Sequence, residues 1–301
     1  MALALNPDIY RAVLDSLPIG VYLVDVNRQI AFWNTSAERI TGYLGQEVIG
    51  RFCQDNLLVH CDENLANLCG SACPLANTMH DGRPRAASVF LRHKDGRRIP
   101  VRVRAVPIRD DFGAIVGSAE FFEERLSRET EIRARRASAG MTLDDTTELP
   151  DRHAVLGALG SALEEFATSQ VPFGILCLAI DNPAHLRQFD GRQAVKAVLY
   201  AAGQTISATL RPSDMVGRWQ EERFMALIAC PAPEGLLNCA ERVKRLVGLT
   251  GVPWWGDRLS VTVSIGGTVA QAGDTVESLT RRVEEALAAS LAEGADAIQL
   301  V

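Results

Sequence analysis

Long apolar runs are missing from this chain. The longest, residues 171–180 and 225–230, fall well short of the roughly 20 residues that cross a bilayer, so no membrane span is expected. Runs of Lys and Arg are missing too. With 31 basic against 37 acidic residues the formal charge is −6, and nothing supplies the basic field that phosphate-rich nucleic acid requires. The first residues, Met-Ala-Leu-Ala-Leu-Asn-Pro, have neither the basic start nor the apolar centre of a secretory signal, which points to the cytosol. What the chain has is 301 residues, 47% hydrophobic and 23% charged, a composition that folds and fits two ordinary domains better than one; disorder and collagen-like repeats are excluded.

Seven cysteines in a reducing compartment seldom form disulfides. Cys53, Cys61, Cys69 and Cys73 crowd together with His60, whereas Cys177, Cys230 and Cys239 are scattered through apolar or helical surroundings.

The pattern of elements begins with an amphipathic helix, with Asp8 placed to cap it and Ile9, Val13, Leu14 and Leu17 on one face. Two short strands follow, Ile19-Gly-Val-Tyr-Leu-Val-Asp25 and Ile30-Ala-Phe-Trp-Asn34, joined by a polar turn as a hairpin. Short helical stretches come next (36–41, and from Gly45), then three strands, 87–93, 97–107 and 115–123, linked by tight turns at Lys94-Asp-Gly96 and 110–113. Together with Phe32-Trp-Asn34, Ala37-Glu-Arg-Ile-Thr-Gly-Tyr43, Glu47-Val-Ile-Gly50 and Gly113-Ala-Ile-Val-Gly117, this order resembles a PAS domain over roughly residues 8–124. The resemblance implies a sensory or dimerising module, a five-stranded antiparallel sheet with helices packed over a ligand-sized pocket.

Residues 123–138 are charged and helix-favouring. Phe122, Leu126 and Ile132 form too thin a seam for an isolated coiled coil. The expected domains are a PAS sensor with a Cys-rich insertion (1–124), a helical signalling linker (125–143) and a second domain (144–301).

That second domain alternates helices and strands, which predicts a mixed sheet covered by helices, an α/β unit within an α+β chain. Its landmarks are Thr147-Glu-Leu-Pro-Asp-Arg152, Arg211-Pro-Ser-Asp214, Val216-Gly-Arg-Trp219 and Val261-Thr-Val-Ser-Ile-Gly266. In this order they resemble the GGDEF domain of diguanylate cyclases.

The resemblance implies a Gly-Gly-Asp/Glu-Glu-Phe hairpin that lets GTP approach and an acid that holds metal. This chain has Gln220-Glu221-Glu222-Arg223-Phe224, so side chains fill the glycine positions and Arg223 replaces a carboxylate; Glu222 keeps an acid in register. The second metal ligand would fall at Ala179, with Asp181 surviving, and Mg²⁺ needs oxygens that alanine lacks. Guanine-recognition positions are occupied by Arg187 and Lys196, and triphosphate positions by Leu291 and Ala295. A degenerate domain that makes no cyclic di-GMP is expected. The rival reading is an active cyclase working through Glu222 and Asp181.

By the same resemblance, Arg211 and Asp214 stand at the spacing of the family's inhibitory product site, and Arg242 matches its secondary arginine. A guanidinium can bond and stack on guanine while a carboxylate accepts from its N–H groups, which implies cyclic di-GMP as ligand. An Arg-x-x-Asp tetrapeptide alone is more often a surface ion pair.

Cys69-Gly-Ser-Ala-Cys73 offers two thiols four residues apart, with Cys53 and His60 on what should be the PAS helical region. Thiolate with imidazole suits zinc, and thiolates suit an iron–sulfur cluster; Cys61 is a fifth candidate ligand. Haem on His60 or His80 is a third option, against which a lone histidine is more often structural. The bland alternative is buried, inert thiols. The whole reads as a cytosolic signalling protein: a homodimer through the PAS domain and linker helix, reading cyclic di-GMP or docking a downstream protein that the sequence does not identify.

Overall fold

The computed structural model describes residues 7–55, 57–62, 66–70, 72–124, 141–230 and 232–301. These form two compact units, one N-terminal and one C-terminal. Almost all of the expected linker helix lies outside the described residues. No helix among them is long and apolar enough to cross a membrane.

In the N-terminal unit, helix α1 (Pro7–Ser16) precedes strands β1 (Gly20–Asp25) and β2 (Ile30–Trp33). Asp8 falls inside the first turn of α1 and is not its cap. Asn34 ends the hairpin and starts α2 (Thr35–Thr41): its Oδ1 accepts from Ala37 N and from Val21 N, both at 2.8 Å. One side chain thus caps a helix and ties it to β1. The short helices α3 (Gly45–Val48) and α4 (Pro74–Asp81) follow, then β3 (Arg85–Arg92), β4 (Arg98–Arg109) and β5 (Ile115–Glu124). The sheet order is β2-β1-β5-β4-β3, with β1 antiparallel to both β2 and β5 and β5 antiparallel to β4. Tyr22, Trp33 and Phe122 meet in the core, ring centroids 5.4–6.2 Å apart. The five-stranded antiparallel sheet agrees with the sequence reading. Cys53 and His60 differ from it: they sit in turns and bridges between α3 and α4, outside any helix.

The C-terminal unit opens with α5 (Arg152–Ser169), capped by Asp151, whose carboxylate accepts from Ala154 N at 2.9 Å. Then come β6 (Phe173–Ile180), α6 (Pro183–Phe189), α7 (Gly191–Thr209), β7 (Met215–Gln220), β8 (Arg223–Ala229) and α8 (Pro233–Gly248). The chain closes with β9 (Val252–Trp254), β10 (Asp257–Leu259), β11 (Val263–Val269), α9 (Val276–Glu293) and β12 (Ile298–Leu300). The sheet order is β12-β11-β6-β8-β7, with only the β11–β12 pair parallel among the registered pairs.

Strand β6 is buried along its whole length. Its side chains alternate between two cores: Leu176, Leu178 and Ile180 with α7 and α8 on one face, Ile175, Cys177 and Ala179 with α5 and α9 on the other. An all-apolar strand is what a sheet covered on both faces requires. Gly266 on β11 lets α9 close in, since a β-carbon there would stand 2.1 Å from Leu287 N. The alternation of apolar and polar residues over 259–265 predicts one strand, and the structure has two elements there. The first belongs to a β9–β10 hairpin whose tip, Trp255-Gly256, has positive φ at both residues (48° and 87°).

Candidate functional site

The signature hairpin is the β7–β8 turn. Antiparallel register sets Ala179 of β6 opposite Arg223 of β8, so two of the altered positions face each other across the strands. Glu221 and Glu222 form the turn, and the Glu222 carbonyl accepts from Ile180 N at 3.0 Å, which fixes the turn over the end of β6. Glu222 keeps its acid, and that acid is taken: Arg187 of α6 forms an ion pair with it. Arg218 of β7 lies over the Phe224 ring, 5.5 Å from its centroid. Burial pulls the Arg218 guanidinium below its ordinary pKa, against the attraction of Asp144 and Glu222.

Asp181 is 8% exposed, and both its oxygens are engaged: Oδ1 accepts from Ser264 Oγ (2.6 Å), Oδ2 from Thr262 Oγ1 (2.6 Å) and Asp296 N (2.9 Å). It clamps β11 and the residues leading into β12 to the end of β6. Lys196 is exposed on α7, and Leu291 and Ala295 are exposed at and beyond the end of α9, bringing no charge to a triphosphate. The hairpin therefore sets Arg223 opposite Ala179 and holds Glu222 in a pair with Arg187.

Asp214, 9% exposed, anchors the turn after α7. Its Oδ2 accepts from Arg211 N at 2.8 Å and its Oδ1 from Ala229 N at 3.0 Å, so the carboxylate holds the turn against the end of β8. Arg211 itself is exposed. From α8, Arg242 donates Nη2 to the Thr209 carbonyl at 3.1 Å, while its buried Nε makes no hydrogen bond. The Cys239 thiol, pushed up to about 11 by burial, lies within electrostatic range of Arg242, Asp214 and Arg211. The three residues expected at a product site are thus gathered beside one turn of α8.

In the N-terminal unit the cysteines separate. Cys61 pairs its backbone with Phe90 (2.9 and 2.7 Å) and points its thiol at the Phe90 carbonyl, 3.8 Å away. Cys53, Cys69 and Cys73 lie within electrostatic range of one another, and Cys53 and Cys69 within range of Glu120. Burial pushes the Cys53 thiol up to about 12, and Arg28 opposes that rise. Burial also raises Cys69, whose Sγ accepts from His60 N at 3.3 Å. Glu120 on β5 is 2% exposed; burial pushes its carboxyl up to about 7, with the Tyr22 hydroxyl donating to Oε1 at 3.0 Å and His60 Nε2 standing 3.6 Å from the same oxygen. As the side chains stand, no three His, Cys, Asp or Glu among the described residues form a ready metal-ligand set. His80 is exposed at the end of α4, away from the buried group a haem would need.

Glu120 and Tyr22 were missed in the sequence reading, though a signal was there. Glu120 is two residues before the core residue Phe122, so strand alternation puts a carboxylate on the inward face.

Comparison with known proteins follows the same division. Residues 141–297, just over half of the chain, match the family described as diguanylate cyclase, GGDEF domain, and residues 18–124 match the PAS domain. Response regulator PleD of Caulobacter vibrioides is 28% identical over 160 residues, 52% of this chain and 35% of that protein. Diguanylate cyclase DgcM of Escherichia coli is 27% identical over 118 residues, 38% of this chain and 27% of that protein. The matched region thus spans about a third or less of these relatives' length. Among solved structures, diguanylate cyclase SiaD of Pseudomonas aeruginosa, in complex with its activator SiaC, superposes with a TM-score of 0.54 at 24% identity over 57% of this chain and 67% of that one. The GGDEF domain of DgcB from Caulobacter crescentus, in complex with c-di-GMP, gives 0.51 at 22% identity over 53% and 92%. These likenesses show the fold, and with the family match they establish that this chain belongs to the diguanylate cyclase GGDEF family, with a PAS domain ahead of the GGDEF domain.

Proposed function

We propose that this is a cyclic di-GMP signalling protein whose GGDEF domain has exchanged catalysis for ligand binding. The observation that carries the reading is the Arg187–Glu222 ion pair: the acid left in register at the signature hairpin is neutralised by the residue at a guanine-recognition position. Ala179 removes the other metal ligand, and Asp181 spends both oxygens on β11 and the approach to β12. Cyclic di-GMP binds at Arg211 and Arg242. Asp214 shapes the turn that presents Arg211, and the unpaired Nε of Arg242 supplies a buried donor beside it. The PAS domain supplies the input, and ligand in either unit biases the other by as much as its affinity differs between two arrangements. Assembly as a homodimer and docking of a downstream protein belong to the same proposal.

The test is calorimetric titration of the full chain with cyclic di-GMP, beside a turnover assay with GTP and Mg²⁺ or Mn²⁺. Saturable binding without turnover supports the reading. Absent heat, or product formation, overturns it.

A further inference from the structure

Helix α1 buries none of its residues, although its sequence carries an apolar stripe. Arg11 lies over the Phe32 ring, 6.0 Å from its centroid, and the Asp15 carboxylate accepts from Thr35 N at 3.3 Å, so the Arg11 and Asp15 side of the helix rests on β2 and the start of α2. The Leu14 and Leu17 carbonyls accept from Asn34 Nδ2 (2.8 Å) and Ser36 Oγ (2.7 Å), which fixes the end of the helix at the β2 edge of the sheet. At about 100° per residue, Tyr10 and Val13 fall on the other side of the helix. They are 55% and 54% exposed. An amphipathic helix turns such a stripe to a packed surface, and here it meets solvent.

The outer face of the same sheet carries a groove of about 310 Å³, whose lining includes Ile19, Ala86, Arg102, Arg104, Phe121 and Glu123. Strand register puts Arg102 opposite Glu123 and Arg104 opposite Phe121. Both arginines and Glu123 are exposed, so apolar side chains share the groove with a net positive rim.

We propose that this groove receives helix α1 of a second copy of the chain, each copy of a two-fold dimer giving its helix and taking the other's. The dimensions agree. The ten residues of α1 span about 15 Å, and the three strand spacings from β1 through β5 and β4 to β3 span about 14 Å. The charges agree as well: α1 carries Asp8 and Asp15 against Arg11, one net negative, and the groove carries Arg102 and Arg104 against Glu123, one net positive. Tyr10 is the anchor, a large ring with a polar tip of the kind that dominates protein interfaces.

The ties to β2 and α2 hold each helix at one edge of its own sheet, so it covers the partner's groove and not its own. Ile19, three residues beyond the helix, lines the groove; donor and acceptor surfaces therefore adjoin, as a self-complementary two-fold interface requires. The interface rests on the homodimer of the proposed function and gives it a surface, whereas cyclic di-GMP binding in the C-terminal unit does not depend on it.

The experiment places the photoreactive residue p-benzoylphenylalanine at Tyr10 of the full chain and irradiates an equal mixture of unlabelled and heavy-nitrogen protein. Mass spectrometry should find mixed-isotope cross-links from position 10 to peptides holding residues 86, 102–104 or 121–123. Sedimentation velocity gives the second readout. Tyr10→Asp, and Arg102→Glu together with Arg104→Glu, should each weaken dimerisation by about tenfold or more. Phe112→Ser, at a side chain 97% exposed in the β4–β5 turn and outside the groove, should leave it unchanged. All of these side chains are exposed, so loss of the dimer is separable from loss of the fold, which circular dichroism checks. A dimer that cross-links from position 10 within one chain or to another surface, or that is indifferent to Tyr10→Asp, overturns this interface and leaves the homodimer standing. A monomer at every concentration overturns both.

Discussion

Arg187, in the last turn of α6, is paired with Glu222 in the β7–β8 turn, and this contact ties the signature hairpin of the GGDEF domain to that helix. The pair joins the two positions that the family resemblance assigns to guanine recognition and to metal binding. Arg187→Ala should therefore free Glu222 without restoring turnover, because Ala179 still supplies no oxygen. The purified variant, incubated with GTP and Mn²⁺ and analysed by chromatography for cyclic di-GMP, should match a no-enzyme control. Product in the single variant would show that the ion pair alone silences the site.

Arg211 and Asp214 should fail in different ways. Arg211 is exposed, and under the proposed function its side chain is the ligand contact, so Arg211→Ala should weaken cyclic di-GMP binding by about tenfold or more, for a charge-assisted hydrogen bond of about 1.5–3 kcal/mol, and leave unfolding unchanged. The Asp214 carboxylate holds Arg211 N and Ala229 N, so Asp214→Ala should cost about 1–3 kcal/mol of stability as well as binding. Calorimetry paired with urea unfolding separates the two effects.

Asp274 predicts an acid limit for the C-terminal unit. Burial by itself would raise its carboxyl, but Arg282 in a two-pronged contact (2.7 and 2.9 Å), Gln271 N and Ser278 Oγ hold it below its ordinary value. A carboxylate whose folded pKa is depressed contributes stability above its unfolded value, near 3.9, and loses it as pH falls through the folded value. Arg282→Leu should therefore lower stability at pH 7 and flatten the decline between about pH 5 and 2. Urea midpoints measured across that range give the answer; an unchanged slope would mean that the pair is not the acid-sensitive element.

Gly266→Ala should destabilise the C-terminal unit by about 1–3 kcal/mol, because the added carbon meets the α9 backbone at Leu287, which cannot yield as a side chain tip can. Gly273→Ala tests a different cause. Its φ of 86° penalises a β-carbon, yet nothing stands within 4 Å, so its cost should be about 1 kcal/mol or less. The difference between the two denaturation midpoints measures packing separately from backbone strain.

Much of this architecture is written in local pattern. The unbroken apolar run of β6 announces a strand covered on both faces, and Asn34 and Asp151 mark helix starts with the side chains that cap them. The substitutions at Ala179 and Arg223 are visible in the chain, but that they face each other depends on strand register, which only the paired sheet provides. The Arg187–Glu222 contact spans 35 positions, and no local rule selects that partner for Glu222 over its neighbours. The β9–β10 hairpin was hidden because the alternation of residues 259–265 continues smoothly across its end, masking the Trp-Gly tip just before it. Glu120 illustrates the opposite case: its parity with Phe122 was readable, and its significance emerged only when Tyr22 and His60 were seen on the same oxygen.

The aromatic cluster of Tyr22, Trp33 and Phe122 has an optical consequence. Of the four tryptophans, Trp33 alone lies in the N-terminal unit, 4% exposed, while Trp219 is buried in the C-terminal unit and Trp255 is almost fully exposed. A chain carrying W219F, W254F and W255F would emit from Trp33 only, beside the phenol that bonds Glu120. Its indole fluorescence would then record events in the N-terminal core without labels and without background from the C-terminal unit.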